Sequence, residues 1–292
     1  MAWTTSDRVM KIREKNRYFD IFAEMMDGWR RHLSGRNASL LAFFSFLSIF
    51  PLLLAAITIL GIVLDGRPDL QEDIVQGAAA EIPVLGPQIA EDPRSLDGSI
   101  WVLILGLAGA LFSSTKAFMG LQSALDDTWE VHVDDRANGL VQRGKAIVGL
   151  VILGGAQVAS LVIASIVSEA GFPAIGNLAL ILGTIAINII VIGLMYRLLT
   201  SYSPTFKQVL PGAIIAGIVF TGLQNFGVDL VRRFAEGSAS IAVIATVLGL
   251  ISWLSLVGIT LIMSAELNAA LHRLGDGHNV PDSDEMHIPI RA

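Results

Sequence analysis

Residues 40–64 read LLAFFSFLSIFPLLLAAITILGIVL, 25 positions without a charge. About 20 predominantly apolar residues cross a bilayer core as a helix. The stretch is therefore predicted to be transmembrane, with Ser45, Ser48 and Pro51 giving it a polar, kinkable middle. Working outward, further apolar runs occupy 98–119, 146–168, 175–199, 208–228 and part of 237–265. The expectation is an all-α polytopic integral membrane protein with six transmembrane helices.

Composition points the same way. Charged residues make up only 16% of the chain, against about a quarter in a soluble domain. Mean hydropathy is +0.64. A charge at the bilayer centre costs several kcal/mol, so lipid-facing surface excludes it. The absence of cysteine excludes a disulfide framework, a thiol nucleophile and a thiolate metal site. The polar residues 1–16 contain no apolar core with a small-residue cleavage site, so the first span is expected to act as its own insertion signal.

The distribution of Lys and Arg sets the orientation. With the N-terminus inside, sixteen lie in or beside cytoplasmic segments and four (Arg67, Arg94, Arg232, Arg233) outside. That asymmetry satisfies the positive-inside rule and predicts that both termini are cytoplasmic. The segment 65–98, with eight acidic and two basic residues, then faces out as a docking place for a periplasmic envelope protein. Before the first span, Tyr18, Phe22, Met25, Trp29 and Leu33 recur at helical spacing, with Arg17, Arg30, Arg31 and His32 largely off that face. This pattern predicts an amphipathic helix at the membrane interface, its basic groups reaching anionic phospholipid headgroups, or else packed on the cytoplasmic ends of the bundle. Segment by segment, 1–16 reads as a flexible polar terminus, 17–274 as the membrane domain and 275–292 as a disordered tail. Residues 120–145 read as a polar loop.

Polar residues within or beside the spans are the candidate site. Ser45, Ser48 and Pro51 lie in span 1, Lys116 in span 2, Asn188 in span 4, Gln224 and Asn225 in span 5, and Arg197 and Glu266 at span ends. Two readings compete. Interhelical hydrogen bonds between such groups hold bundles together; alternatively they line a groove, with Lys116 and Arg197 meeting headgroups on the inner side. Glu266 is expected either to cap the bundle through Arg197 or Lys116 or to line an inner mouth. Small residues at Gly212/Ala216 and Ala213/Gly217/Thr221 suit close helix approach, within one chain or between copies of a homo-oligomer. The five histidines all lie outside the spans, and no H-E-x-x-H, P-loop or G-x-S-x-G motif is present. No cofactor, no metal and no nucleic-acid partner is expected, and transport by this chain would run without its own ATPase.

The segment LAFFSFLSIFPLLL (41–54) resembles the first-span signature of the YihY/BrkB family of bacterial inner-membrane proteins. SSTKAFMGLQSALDDTWEV (113–131), MYRLL (195–199), VLPGAIIAG (209–217) and SAELNAAL (264–271) follow in that family's order. The resemblance covers about residues 17–274. Ser264 stands where the family pattern leads one to expect Gly. Asp126-Asp127 stands where an Asn is more usual, and the position is assigned no role. The resemblance implies six spans with both ends inside. It also brings the old label "ribonuclease BN", which the residues do not support, because such chemistry needs bound metals or an acid–base pair at the phosphate. Links of family members to virulence and to envelope-lipid movement imply a non-enzymatic role in the bacterial cytoplasmic membrane. The expected function is translocation of an envelope lipid or other amphiphile; the alternative is a non-transporting scaffold for envelope assembly.

Overall fold

The computed structural model describes residues 4, 6–63, 100–169, 173–235 and 239–275. Among these residues every regular element is helical. Two helices precede the apolar part of the chain, α1 (Asp7–Lys15) and α2 (Arg17–Arg31). Six long ones follow: α3 (Ser34–Val63), α4 (Ile100–Thr128), α5 (Gly139–Glu169), α6 (Pro173–Leu199), α7 (Phe206–Ala235) and α8 (Ala239–Gly275). Within α4 to α8, five segments are long and apolar enough to cross a membrane. Helix α3 carries positions 40–63 of the uncharged run, but the side chains of residue 50 and of residues 52–63 lie outside the description. The acidic 65–98 segment and the 276–292 tail also lie outside the described residues.

Large apolar side chains point outward along these helices, among them Leu105, Leu111, Phe112, Val151, Leu182 and Ile190. In water such a surface would drive aggregation. Hydrocarbon accommodates it, because every helix satisfies its own backbone hydrogen bonds.

The helices are longer than the uncharged runs that announce them. α4 continues through Asp126 and Asp127 to Thr128, and α5 starts at Gly139. The stretch expected to be a 120–145 loop is therefore helical at both ends, with a short 3₁₀ turn (Val133–Asp135) between. The polar segment 1–16, expected to be flexible, contains α1 with Arg13 buried.

The chain divides into two compact units. The first comprises Met1–Ala38, Leu121–Thr221 and Ile259–Ala292; the second comprises Ser39–Gly120 and Gly222–Gly258. Within the first, α6 and α7 meet through small residues. A Cβ on Gly217 would lie 2.9 Å from the backbone nitrogen of Ile189, and Ala213 and Ala216 are fully buried. These small-residue rows thus pack within one chain. Pro211 interrupts α7, and Asn268 of α8 serves the backbone there: its Oδ1 accepts from Gly212 N at 2.7 Å, and its Nδ2 donates to Val209 O at 3.0 Å. A side chain from the neighbouring helix thus serves the ladder beside the proline. In the second unit Pro51 lies against Gly109: a Cβ on that glycine would sit 3.2 Å from the Pro51 ring. Trp253 Nε1 donates to Leu223 O at 2.7 Å.

Candidate functional site: a buried charge cluster around Glu266

The first unit concentrates its buried charges where α1 and α2 meet the ends of α4 and α8. α2 begins at Asn16, whose side-chain oxygen accepts from Tyr18 N and Phe19 N, an N-cap worth about 1 kcal/mol. Asp20, Glu24 and Asp27 then recur at i, i+4 and i+7, which puts all three on one helix face. Arg13 of α1 meets that face, with Nε 2.7 Å from Asp20, Nη1 3.2 Å from Asp27 and Nη2 3.4 Å from Glu24. Burial alone would lower the pKa of Arg13, but the three carboxylates reverse this and hold it above its ordinary value.

The buried side of α2 consists of Ala23, Glu24 and Gly28. Of its aromatic residues, Trp29 packs against the buried Ala38, Ala124 and Ile262, whereas Tyr18, 85% exposed, and Phe22, 46% exposed, look out. α2 thus docks through charge, close approach at Gly28 and Trp29, and leaves apolar surface outside at its N-terminal half.

Two backbone turns complete the cluster. α2 ends at His32, followed by Leu33 with φ 53°. α4 ends in a Schellman motif, in which Val131 N donates to Asp126 O and Glu130 N to Asp127 O, with Glu130 at φ 54°. Glycine usually occupies such left-handed positions, and another residue there costs about 1 kcal/mol or more. The two turns place His32 and Glu130 beside α8. There Glu266 is fully buried, and its Oε1 accepts from Ser34 Oγ at 2.7 Å, faces His32 Nδ1 at 2.9 Å and accepts from Thr128 Oγ1 at 3.4 Å. On its other side, His32 Nε2 lies 3.4 Å from Glu130 Oε1, an ion-pair distance without a formed hydrogen bond.

Arg273, two turns beyond Glu266 on α8, ties the remaining acids together. Its Nε donates to Glu24 at 2.9 Å, and its Nη1 lies 3.4 Å from Glu130 and 3.3 Å from the Thr128 carbonyl oxygen. Arg31 bridges Glu130 at 3.0 Å and Glu24 at 3.4 Å. The nearby His32 imidazole is the leading cause that lowers Glu130, opposed by partial burial and reinforced by Arg31 and Arg273; its pKa is held down to about 2. Burial works against a charged His32, but the neighbouring carboxylates of Glu130 and Glu266 prevail and raise its pKa.

Beside this lies a second polar knot, also in the first unit. Asp126 is buried and accepts from Thr200 Oγ1 at 2.9 Å, Ser201 N at 2.6 Å and Ser201 Oγ at 3.0 Å. Asp127 pairs with Arg136 at 2.8 Å. The two aspartates, assigned no role from sequence, thus fix the turn after α6 and the exit from α4. Lys145 Nζ donates to Thr200 O at 2.8 Å, and Trp129 stacks on Tyr202 with ring centroids 4.7 Å apart.

The remaining sequence-derived candidates do not gather at Glu266. In the first unit, Asn188 Nδ2 donates to Thr221 Oγ1 at 2.9 Å, an α6–α7 bond, and Arg197 is exposed. The basic side chain that meets Glu266 is His32, where the sequence suggested Arg197 or Lys116. In the second unit, Ser48 Oγ donates back to Ser45 O at 2.7 Å. There Pro51, Lys116 and Gln224 are half-buried, with Lys116 Nζ 5.7 Å from the Phe112 ring centroid. The Asn225 side chain lies outside the described residues. Sequence reasoning missed Arg13, Gly28, His32 and Arg273. The acidic i, i+4, i+7 row of α2 was a readable sign of a charged docking face, but its partners come from distant segments. Among the described residues, no group of three or more His, Asp or Glu is arranged to hold a metal ion.

Long helices with outward apolar surfaces and buried interhelical polar bonds define a multi-pass helical membrane protein. Residues 25–288 match the family described as Virulence factor BrkB, and the chain belongs to it. A similar protein is the putative ribonuclease-like protein YfkH of Bacillus subtilis (strain 168), 24% identical over 282 residues, covering 90% of this chain and 98% of that one. Another is the UPF0761 membrane protein PSHAa0171 of Pseudoalteromonas translucida (strain TAC 125), 27% identical over 142 residues, covering 48% of this chain and 46% of that one. No solved structure matches.

Proposed function

We propose that this chain, lying in the bacterial cytoplasmic membrane with both termini inside, moves an amphiphile with an anionic headgroup, an envelope lipid in the first instance, without an ATPase of its own. The observation that carries this reading is the seating of α2. Its acidic face is consumed by Arg13, Arg31 and Arg273. Tyr18 and Phe22 remain outside, beside the exposed Arg17 and Arg30. A helix with apolar and basic groups on its free side sits at headgroup level. It recruits amphiphiles to the inner leaflet; in the second unit, taken by itself, the half-buried Lys116 is a separate candidate for headgroup contact.

The name of the Bacillus relative raises a nuclease reading for this chain, which the geometry does not favour. General acid–base cleavage needs two groups converging on a phosphate that can reach them, whereas Glu266 is sealed from solvent. The scaffold reading is favoured by the Asn188–Thr221 bond, which uses mid-span polar groups internally.

The test is transfer of headgroup-labelled phospholipid in proteoliposomes containing only this protein. Movement above that in empty liposomes, reduced by Lys116→Ala and by Phe22→Asp, supports translocation. Rates equal to those of empty liposomes, with folded protein verified, would sink translocation and favour the scaffold.

A further inference from the structure

We propose that Glu266 is a proton-binding site, loaded from the aqueous side through His32 and Glu130. The inference deepens the translocation reading, on which it rests only for its physiological use: it names the proton as the coupling ion.

Three groups stand in a row with falling exposure. The Glu130 side chain is 49% exposed, His32 is 7% and Glu266 is 0%. The imidazole spans the gap with one nitrogen toward each carboxylate, Nε2 at 3.4 Å from Glu130 and Nδ1 at 2.9 Å from Glu266. Imidazole is the side chain suited to pass a proton between such partners, since it takes one at one nitrogen and gives one from the other. The Glu130 contact is long for transfer, but that side chain is partly exposed and shortens the gap by a small swing. The outer two members of the row adjoin left-handed backbone, at Glu130 itself and at Leu33 next to His32. Local strain of this kind persists where the surroundings hold it and is frequent at functional sites.

Glu266 is also incompletely served as a purely structural anion. All three of its bonds go to Oε1, while the buried Oε2 has no hydrogen-bond partner. A bare carboxylate oxygen away from water is costly. A proton delivered to Oε1, the oxygen that faces His32, removes the charge, and Oε2 becomes a neutral carbonyl oxygen that costs less to leave unpaired. The balance is simple. Starting from the neutral ring with its proton on Nδ1, Nε2 takes a proton from Glu130, which is refilled from water, Nδ1 gives its own to Glu266 Oε1, and the ring is left as the Nε2–H tautomer. The net uptake is one proton at Glu266. The other charges facing this row are Arg31 and Glu24 from α2 and Arg273 from α8; Arg31 and Arg273 pair with Glu24 and Glu130, while Arg273 Nη2, itself without a hydrogen-bond partner, lies with Glu266 Oε2 around Gly28 but forms no bond to it.

The experiment is infrared difference spectroscopy of the full chain in lipid nanodiscs between neutral and acid pH, which needs no transport assay. The expected result is a buried-carboxyl C=O band that appears on acidification and is lost in Glu266→Gln. In His32→Gln the same band persists but is displaced toward higher pH, because the carboxylate has lost the Nδ1–H donor that favours its charged form. If Glu266→Gln fails to fold, the His32→Gln displacement carries the test alone. No acid-dependent carboxyl band, or one indifferent to both changes, overturns the proposal. Coupling is read separately in proteoliposomes: lipid movement that ignores a pH gradient while the band is present overturns the coupling role and leaves translocation standing.

Discussion

Glycine 28 has no side chain because Glu266 and Arg273 occupy the space one would need. A Cβ there would collide with Glu266 Oε2 and sit 3.2 Å from Arg273 Nη2. The obstacle on the near side is a buried carboxylate bonded to three partners, which cannot swing away without losing them. Gly28→Ala is therefore expected to lower stability by about 1–3 kcal/mol, the usual range for overpacking. Gly154→Ala, where a Cβ meets nothing, is the matched control and should leave the melting temperature unchanged or slightly raised. Thermal unfolding in detergent compares the two; equal effects would contradict the close approach. At this scale the sequence was only partly legible. Glu266 attracts notice as the first charge after a long uncharged run. Its partner His32 lies 234 positions away, and nothing in either segment announces the other. Asp126 looks like one of two loop acids until Thr200 and Ser201 are seen to bond to it.

At the scale of the element, helix boundaries were misread for a physical reason. Charge delimits the part of a helix inside hydrocarbon, while the hydrogen-bonded ladder continues beyond it into water or protein. So α4 runs past Asp126 and Asp127, and α5 contains Arg143 and Lys145. The amphipathic pattern of α2 did specify a helix, but not which face would be buried. The docking of α2 carries its own pH dependence. Glu130 is held down to about 2 against an ordinary 4.5. Its contribution is thus complete above pH 4.5 and lost as the pH falls toward 2. His32 is raised above an ordinary 6.5, so its contribution is complete below pH 6.5 and lost as the pH climbs through the raised value. The melting temperature should therefore plateau between about pH 4.5 and 6.5 and fall on both sides. Glu130→Gln should flatten the acid limb and His32→Gln the alkaline one. Limbs unchanged by these substitutions would place the titrating groups elsewhere.

For the whole molecule, composition was the strongest guide. Apolar runs separated by charged segments predicted a polytopic helical bundle, and the described helices agree in kind and order. Orientation rests on the Lys and Arg distribution, and the lack of native cysteine makes it directly measurable. Single cysteines at Lys11 and at Ser95, probed with a membrane-impermeant maleimide on intact spheroplasts, should differ. Ser95→Cys should label at once and Lys11→Cys only after permeabilisation; the reverse order would invert the proposed topology.

The contact at Gly28 also has a genetic meaning. Two positions 238 apart share one volume, so neither can drift alone. Any gain of bulk at 28 selects for a shorter acid at 266. A screen for second-site revertants of Gly28→Ala should return Glu266→Asp, which gives back one methylene and keeps the carboxylate that Ser34 and His32 hold.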